Sequence, residues 1–295
     1  MKLNEKVEGP VRIGTKLVGD GYPAYIIAEI GINHNGDIDL ARRLISVAVA
    51  AGCDAVKFQK RTVDIVYTPE ELAKPRENPF GSTNGDLKRG LEFGLADYKL
   101  IDRYCREVKM PWFASCWDEP SVDFIDQFQP PCYKVASASL TDDNLLRRTR
   151  ATGRPIILST GMSTVAQIDH AVDVLGTKDL ILLHACSVYP AYYPELNLKA
   201  ITTLRERYGV PIGYSGHETG LPSTVAAAAL GACVIERHIT LDRAMWGSDQ
   251  AASLEPNGIS KIVSYVRLVE QSMGDGVKRV FDREQPVIQK LRRVG

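Results

Sequence analysis

Eight short apolar runs, each followed by an amphipathic stretch, recur along this chain at roughly the 25–40-residue period of a β/α unit. The strand candidates occupy 25–30, 55–59, 111–115, 132–135, 156–159, 180–184, 211–214 and 234–238. Helices are predicted over 38–51, 97–108, 121–128, 142–151, 165–175, 198–208, 221–230 and 259–273. Asp37, Asp118, Asp142 and Ser163 offer side-chain oxygens to helix starts, and Gly52, Gly153, Gly176, Gly209 and Gly231 punctuate helix ends. Eight strands alternating with eight helices predict a closed parallel (β/α)8 TIM barrel of the α/β class. An open doubly wound sheet is the competing architecture, but no G-x-G-x-x-G follows a strand to support it. All 295 residues read as a single barrel domain. Within it, residues 1–22 form an extension in which residues 11–13 and 17–18 flank Gly14-Thr15 as a hairpin capping the barrel bottom. Residues 62–96 form a long connection after the second strand, rich in Pro, Gly and Asn; such loops are functional lids or disordered.

Charge narrows the class of partner. Lys plus Arg and Asp plus Glu both number 36, so no long-range field favours nucleic acid or an anionic membrane. An anionic ligand must then be held by a few local cations. The best apolar run, residues 224–233, is broken by Gly231 and falls short of the ~20 residues that span a bilayer. The polar, acidic start reads as no signal peptide. Six cysteines without a C-x-x-C pair suit reduced, buried thiols in the cytoplasm. His184 and Cys186, two apart, have a spacing that allows a shared metal, with packing as the simpler reading.

Barrel strands are expected to be apolar, so charges within them are informative. Glu29, Lys57, Lys134, Glu236 and His238 all lie in strand candidates. Burying an unpaired charge costs several kcal/mol, so these groups must meet each other or a ligand. Most fall near strand C-terminal ends, where active sites of this fold sit. Alternation places Glu236 and His238 on one face, and likewise Ser215 and His217 on the neighbouring strand. His217 and His238 thus converge, and two imidazoles suit Mn²⁺, Fe²⁺, Zn²⁺ or Co²⁺ with water and substrate oxygens completing the shell. Lys57 and Lys134 can clamp a phosphate or carboxylate, with Ser137, Ser159 and Ser215 as neutral donors. Either lysine can alternatively serve as a Schiff-base nucleophile.

An ordered set of motifs spans nearly the whole chain: residues 28–36 (AEIGINHNG), 57–59 (KFQ), 134–137 (KVAS), 159–162 (STGM), His184, Tyr189-Pro190, 214–218 (YSGHE), 236–238 (ERH) and 253–256 (SLEP). The set resembles the sialic acid synthases. That resemblance implies condensation of phosphoenolpyruvate with a sugar aldehyde, N-acetylmannosamine or a related hexose, to give a nine-carbon 2-keto acid and phosphate. It implies that His217 and His238 hold a divalent ion, Mn²⁺ with Mg²⁺ or Co²⁺ as alternatives, that polarises the sugar carbonyl. It places Glu29 beside C2 of phosphoenolpyruvate, with Lys57, Lys134, Ser137, Ser159, Ser187 and Ser215 holding that substrate. Gln59, Tyr189 and Asp249 face the sugar. The implied assembly is a cytoplasmic homodimer with no nucleic-acid or membrane partner.

Three departures from the family pattern stand out. Ser139 occupies a position usually acidic in members that use N-acetylmannosamine, and Gln250 replaces the usual His after Asp249. Both are expected on the sugar side. The chain also stops at Gly295, where many relatives continue into an antifreeze-like domain that lends an arginine to the neighbouring subunit. These departures keep a non-catalytic sugar- or phosphate-binding relative in view beside the synthase and the Schiff-base lyase. His170 is read as a surface residue and Cys186 as packing; His34 has a turn role or a site role. Trp112, Trp117 and Trp246 read as core or rim, and residues 290–293 as a solvated helix end.

Overall fold

The computed structural model describes residues 8–294, so the first seven residues of the expected N-terminal extension lie outside the described residues. Twelve strands occur among them: β1 (Val11–Ile13), β2 (Lys16–Val18), β3 (Tyr25–Gly31), β4 (Ala55–Lys60), β5 (Pro75–Asn78), β6 (Gly81–Thr83), β7 (Trp112–Cys116), β8 (Tyr133–Val135), β9 (Ile156–Ser159), β10 (Leu180–Ala185), β11 (Ile212–Gly216) and β12 (Val234–His238). Strands β3, β4 and β7 to β12 close into a parallel barrel in chain order, with β12 pairing back onto β3. All eight predicted barrel strands are present.

The predicted helices appear with ends shifted by up to three residues. The last runs Pro256–Met273 because Pro256 fits the first helical turn, where its missing N–H is no loss. Asp37, Asp118 and Asp142 accept backbone N–H bonds as expected. The cap of Val165–Leu175 is Thr164 rather than Ser163, since Ser163 Oγ donates instead to the Gly161 carbonyl.

Two apolar layers result from strand alternation. Ile26, Ala28, Val56, Phe58 and their counterparts face the helices. Ile27, Phe113, Ile157, Ile181 and Val234 point into the barrel, and Val11, Ile13 and Val18 of the β1–β2 hairpin pack onto them from below. The hairpin closes the bottom as expected, and the Lys16 ammonium pairs with Asp54 beneath the sheet.

The 62–96 connection is ordered. It holds short helices Val63–Val66 and Pro69–Ala73, the β5–β6 hairpin, and helix Asn84–Leu91 with a Thr83/Asp86 capping box. Polar turn residues hid this from sequence reading, because its elements are too short for periodicity to register. Glu92 anchors the returning end, 3.3 Å from Lys60 Nζ and 3.0 Å from Arg61 Nε.

The plug role of the hairpin is testable. Ile13 is 2% exposed, so Ile13→Ala should cost about 2–4 kcal/mol in urea denaturation. A loss under ~0.5 kcal/mol, the scale of surface substitutions, would show that the hairpin does not seal the core.

Candidate active site

Each inward-facing row starts apolar and ends polar. Tyr25 and Ile27 precede Glu29, Ala55 precedes Lys57 and Gln59, Phe113 precedes Ser115, Cys132 precedes Lys134, and Val234 precedes Glu236 and His238. Register sets the polar ends side by side: His238 opposite Glu29, Glu29 opposite Lys57, Ser115 opposite Lys134, Ser215 opposite Glu236. Together they line a cavity of about 210 Å³ at the C-terminal mouth.

Four buried charges form its floor. Lys57 Nζ lies 2.8 Å from Glu29 Oε2 and 3.7 Å from Glu236 Oε2, while Lys134 Nζ lies 3.9 Å from Glu236 Oε1. Lys57 also donates to Ser115 Oγ at 2.9 Å, and Lys134 to Ser159 Oγ at 2.6 Å. Burial pushes Glu29 up to about 7, despite the opposing pull of Lys57, and the Glu236 charge adds to the rise. Glu236 goes the other way: Lys134 and Lys57 outweigh its burial and hold it at about 2. Burial lowers Lys134 to about 8. Burial also pulls on Lys57, but Glu236 and Glu29 more than offset this and keep it above its ordinary value. At neutral pH two cations therefore face one firm carboxylate and one half-protonated one. The floor keeps residual positive charge.

A backbone irregularity makes this packing possible. The β3–β4 register shifts between Glu29 and Gly31, where Gly31 has φ 55°, and a Cβ there would lie 3.0 Å from Glu29 Oε1 and 3.4 Å from the His238 ring. Gly161 plays a similar part across the cavity. A Cβ there would stand 2.2 Å from Ser187 Oγ and 2.9 Å from Ser137 Oγ, and its N–H donates to Ser137 Oγ at 3.0 Å.

The imidazoles of His217 and His238 lie 5.5 Å apart, centroid to centroid. His217 Nδ1–H donates to the Cys186 carbonyl at 2.7 Å, which leaves the Nε2 lone pair toward the cavity, 3.0 Å from Tyr189 Oη. His238 Nδ1 is buried without a hydrogen-bond partner, 3.8 Å from Asp249 Oδ2. Burial lowers His217 to about 4 and His238 in the same direction, so both rings are neutral. Neutral rings suit a divalent ion, which would take the His217 Nε2 lone pair in place of the Tyr189 hydroxyl. Among the described residues no three His, Cys, Asp or Glu side chains group closely enough to hold one alone, so the remaining positions would go to water or substrate.

Of the residues singled out from sequence, Glu29, Lys57, Gln59, Lys134, Ser137, Ser159, Ser187, Tyr189, Ser215, His217 and His238 all line this cavity. Asp249 stands just behind His238. Ser139 does not line it: the residue is buried in the 3₁₀ turn after β8, and Ala138 forms the wall. Gln250 is also turned away. Its amide accepts from Thr240 Oγ1 and donates to the Asn33 carbonyl at 3.3 Å, pinning the loop from beneath. Neither Ser139 nor Gln250 therefore touches the cavity.

His34 stacks on Phe93 at 3.9 Å and belongs to the turn. His184 Nε2–H donates to the Leu196 carbonyl at 2.7 Å, and among the described residues no group of three His, Cys, Asp or Glu side chains joins it to Cys186. His170 is exposed beside Asp143. Trp117, read from sequence as core or rim, lines this cavity; sequence reading gave no role to Ser115, although alternation from Phe113 marks it as inward. Nor did it give one to Arg237, which faces outward, bonds the Glu218 carbonyl at 2.6 Å and fixes the loop carrying His217.

A model described as the NeuB family matches residues 44–278. The N-acetylneuraminate-9-phosphate synthase of Homo sapiens is 40% identical over 282 residues, covering 94% of this chain and 78% of that protein. The N,N'-diacetyllegionaminic acid synthase of Legionella pneumophila is 34% identical over 303 residues, covering 99% and 84%. Among solved structures, the sialic acid synthetase of Leptospira borgpetersenii serovar Hardjo-bovis, in complex with citrate, superposes with a TM-score of 0.86 at 30% identity, covering 98% of this chain and all of that one. Fold, motif order and these likenesses agree: the chain belongs to the NeuB family of sialic acid and related nonulosonic acid synthases.

Proposed function

We propose that this barrel condenses phosphoenolpyruvate with a sugar aldehyde, N-acetylmannosamine or a related hexose, releasing phosphate and a nonulosonic 2-keto acid. The observation that carries the reading is the residual positive floor of Lys57 and Lys134 directly beside two neutral imidazoles. A small anion belongs on the first and a polarisable carbonyl beside the second. A divalent ion held by His217 and His238, Mn²⁺ above others, would supply Lewis-acid polarisation of the sugar carbonyl.

The chain's own groups account for the rest. Lys57, Lys134 and the hydroxyls of Ser137, Ser159, Ser187 and Ser215 hold phosphoenolpyruvate so that C3 faces the aldehyde carbon. As the C3–C1 bond forms, positive charge develops at C2, and Glu29, beside Lys57 on the floor, steadies it. Water then adds at C2 and gives one proton to Glu29, poised near 7, which passes it to the oxygen of the former aldehyde. As the C–O bond to phosphate breaks, the remaining hydroxyl proton leaves with the phosphate. Gln59 and Tyr189 orient the sugar, and Asp249 sets the His238 ring. Six unpaired cysteines favour a reducing cytoplasm as the working compartment. Exposed Leu268 and Phe281 near the C-terminus offer apolar surface for the homodimer we propose.

Phosphate release from phosphoenolpyruvate should depend on both a sugar aldehyde and Mn²⁺ and should stop with chelator. His217→Ala and His238→Ala should each lower kcat by at least about 100-fold. Release unaffected by chelator would remove the metal from the account. The lowered value of Lys134 is the one observation that favours a Schiff-base lyase instead; borohydride with pyruvate would then label Lys134, and no label is expected.

Lys134 faces Glu236, Lys57, Glu29 and Cys132, and it must be protonated to hold an anion. Its cation is present below about 8 and lost above, so kcat/KM for phosphoenolpyruvate should fall as pH rises through about 8. Lys134→Arg should abolish that fall. A profile flat to higher pH in the unaltered enzyme would show that Lys134 does not hold the substrate.

A further inference from the structure

Alternation sets three residues on one face at the end of β4: Lys57, Gln59 and, one residue past the strand, Arg61. The first two line the active-site cavity. Arg61 does not, and it is only 5% exposed. A guanidinium buried to that degree needs partners on every side. Its Nε lies 3.0 Å from Glu92 Oε1, its Nη1 donates to Tyr67 Oη at 3.1 Å, and its Cζ sits 4.7 Å from the centre of the Trp117 ring. The remaining nitrogen, Nη2, donates to Gln59 Oε1.

That last bond decides which way the Gln59 amide faces. A guanidinium has donors only, and an ionised carboxylate has acceptors only. An amide placed between them satisfies both in one orientation, with its oxygen to Arg61 and its NH2 to Glu29. Gln59 Nε2 accordingly donates to Glu29 Oε1 at 3.1 Å, while Tyr98 Oη donates to the Gln59 carbonyl at 2.9 Å and holds the backbone. The other Glu29 oxygen lies 2.8 Å from Lys57 Nζ, so the carboxylate is held at both ends. One amide hydrogen remains for the cavity, and a substrate oxygen meets Gln59 as an acceptor. Without Arg61 nothing keeps the amide from turning over and setting its own oxygen against the carboxylate. Two of the anchors on Arg61, Tyr67 and Glu92, belong to the 62–96 connection, yet no residue of that connection lines this cavity.

We propose that Arg61 is a positioning residue: clamped by Tyr67, Glu92 and Trp117, it locks the Gln59 amide with its hydrogens toward Glu29 and the sugar. The order of the 62–96 connection reaches the site through this one side chain. The inference rests on the synthase reading above and adds a residue to it.

The test is turnover of phosphoenolpyruvate with N-acetylmannosamine or mannose by Arg61→Met, Gln59→Ala and the double variant, at matched folded content. Methionine keeps much of the arginine stem, and Lys60 Nζ, 3.3 Å from Glu92, still pairs with that carboxylate. Arg61→Met should lower kcat/KM for the sugar by about tenfold or more, the scale of one hydrogen bond to a charged group. In the Gln59→Ala background the same change should cost nothing further, because its effect runs through the amide. Unaltered turnover in Arg61→Met, or its full loss repeated on top of Gln59→Ala, overturns the proposal and leaves the synthase reading standing. If Arg61→Met does not fold, Glu92→Gln, which loosens the guanidinium, is read in its place. No consumption by the unaltered enzyme with any aldehyde overturns the synthase reading instead. The amide is then followed by nuclear magnetic resonance of protein labelled with ¹⁵N-glutamine, its signal assigned by its loss in Gln59→Ala. A slowly exchanging Gln59 NH2 that Arg61→Met shifts and opens to fast exchange upholds the positioning. A signal that Arg61→Met leaves unchanged overturns it.

Discussion

The rest of the site depends on Glu236, a carboxylate with a lysine on either side in the middle of the barrel. Its two oxygens lie 3.7 Å from Lys57 Nζ and 3.9 Å from Lys134 Nζ, and Ser215 Oγ donates to it at 2.9 Å. Without that charge the two ammonium groups would share a dry cavity with Glu29 alone, and removing one partner of a buried pair typically costs about 3–5 kcal/mol. With it, Lys57 stays protonated and Glu29 is left as the group whose charge is undecided at neutral pH. One pairing thus fixes which groups keep their charge and which one titrates near neutrality.

The barrel makes such a cluster tolerable by separating its two ends. Below, Ile27, Phe113, Ile157 and Val234 meet the plug of Ile13 and Val18, and this dry layer supplies cohesion. Above, the same strands end in charge. The outward residue between the two functional ones on β12 adds a further support. Arg237, 1% exposed, ties Glu218, Thr224 and the Gly220 carbonyl together and holds the loop from which His217 reaches inward. The sequence Glu-Arg-His therefore puts two cavity-lining side chains inside and their brace outside, as strand alternation requires.

Most of this was legible because it follows from period and chemical type. Apolar runs marked the strands, charges inside them marked the floor, and alternation brought His217 and His238 together. What escaped depends on direction rather than pattern. Ser139 and Gln250 are close in sequence to cavity residues, but a 3₁₀ turn and a buried amide network point them elsewhere. The 62–96 connection escaped for another reason. Its order comes from tertiary anchors, Glu92 on Lys60 and Arg61 and Phe80 against Trp246, that no local window contains.

The central claim is that the buried charges form a ligand floor rather than an internal brace. Calorimetric titration of phosphoenolpyruvate into the sugar-free protein tests it most directly, with Lys134→Met compared at matched folded content by circular dichroism. The account predicts one molecule bound per chain and a loss of affinity on the order of 100-fold in the folded variant, in keeping with the loss of a buried charged hydrogen bond. Equal affinity in both proteins would contradict it, and would make the lysines and carboxylates a structural network with the chemistry elsewhere.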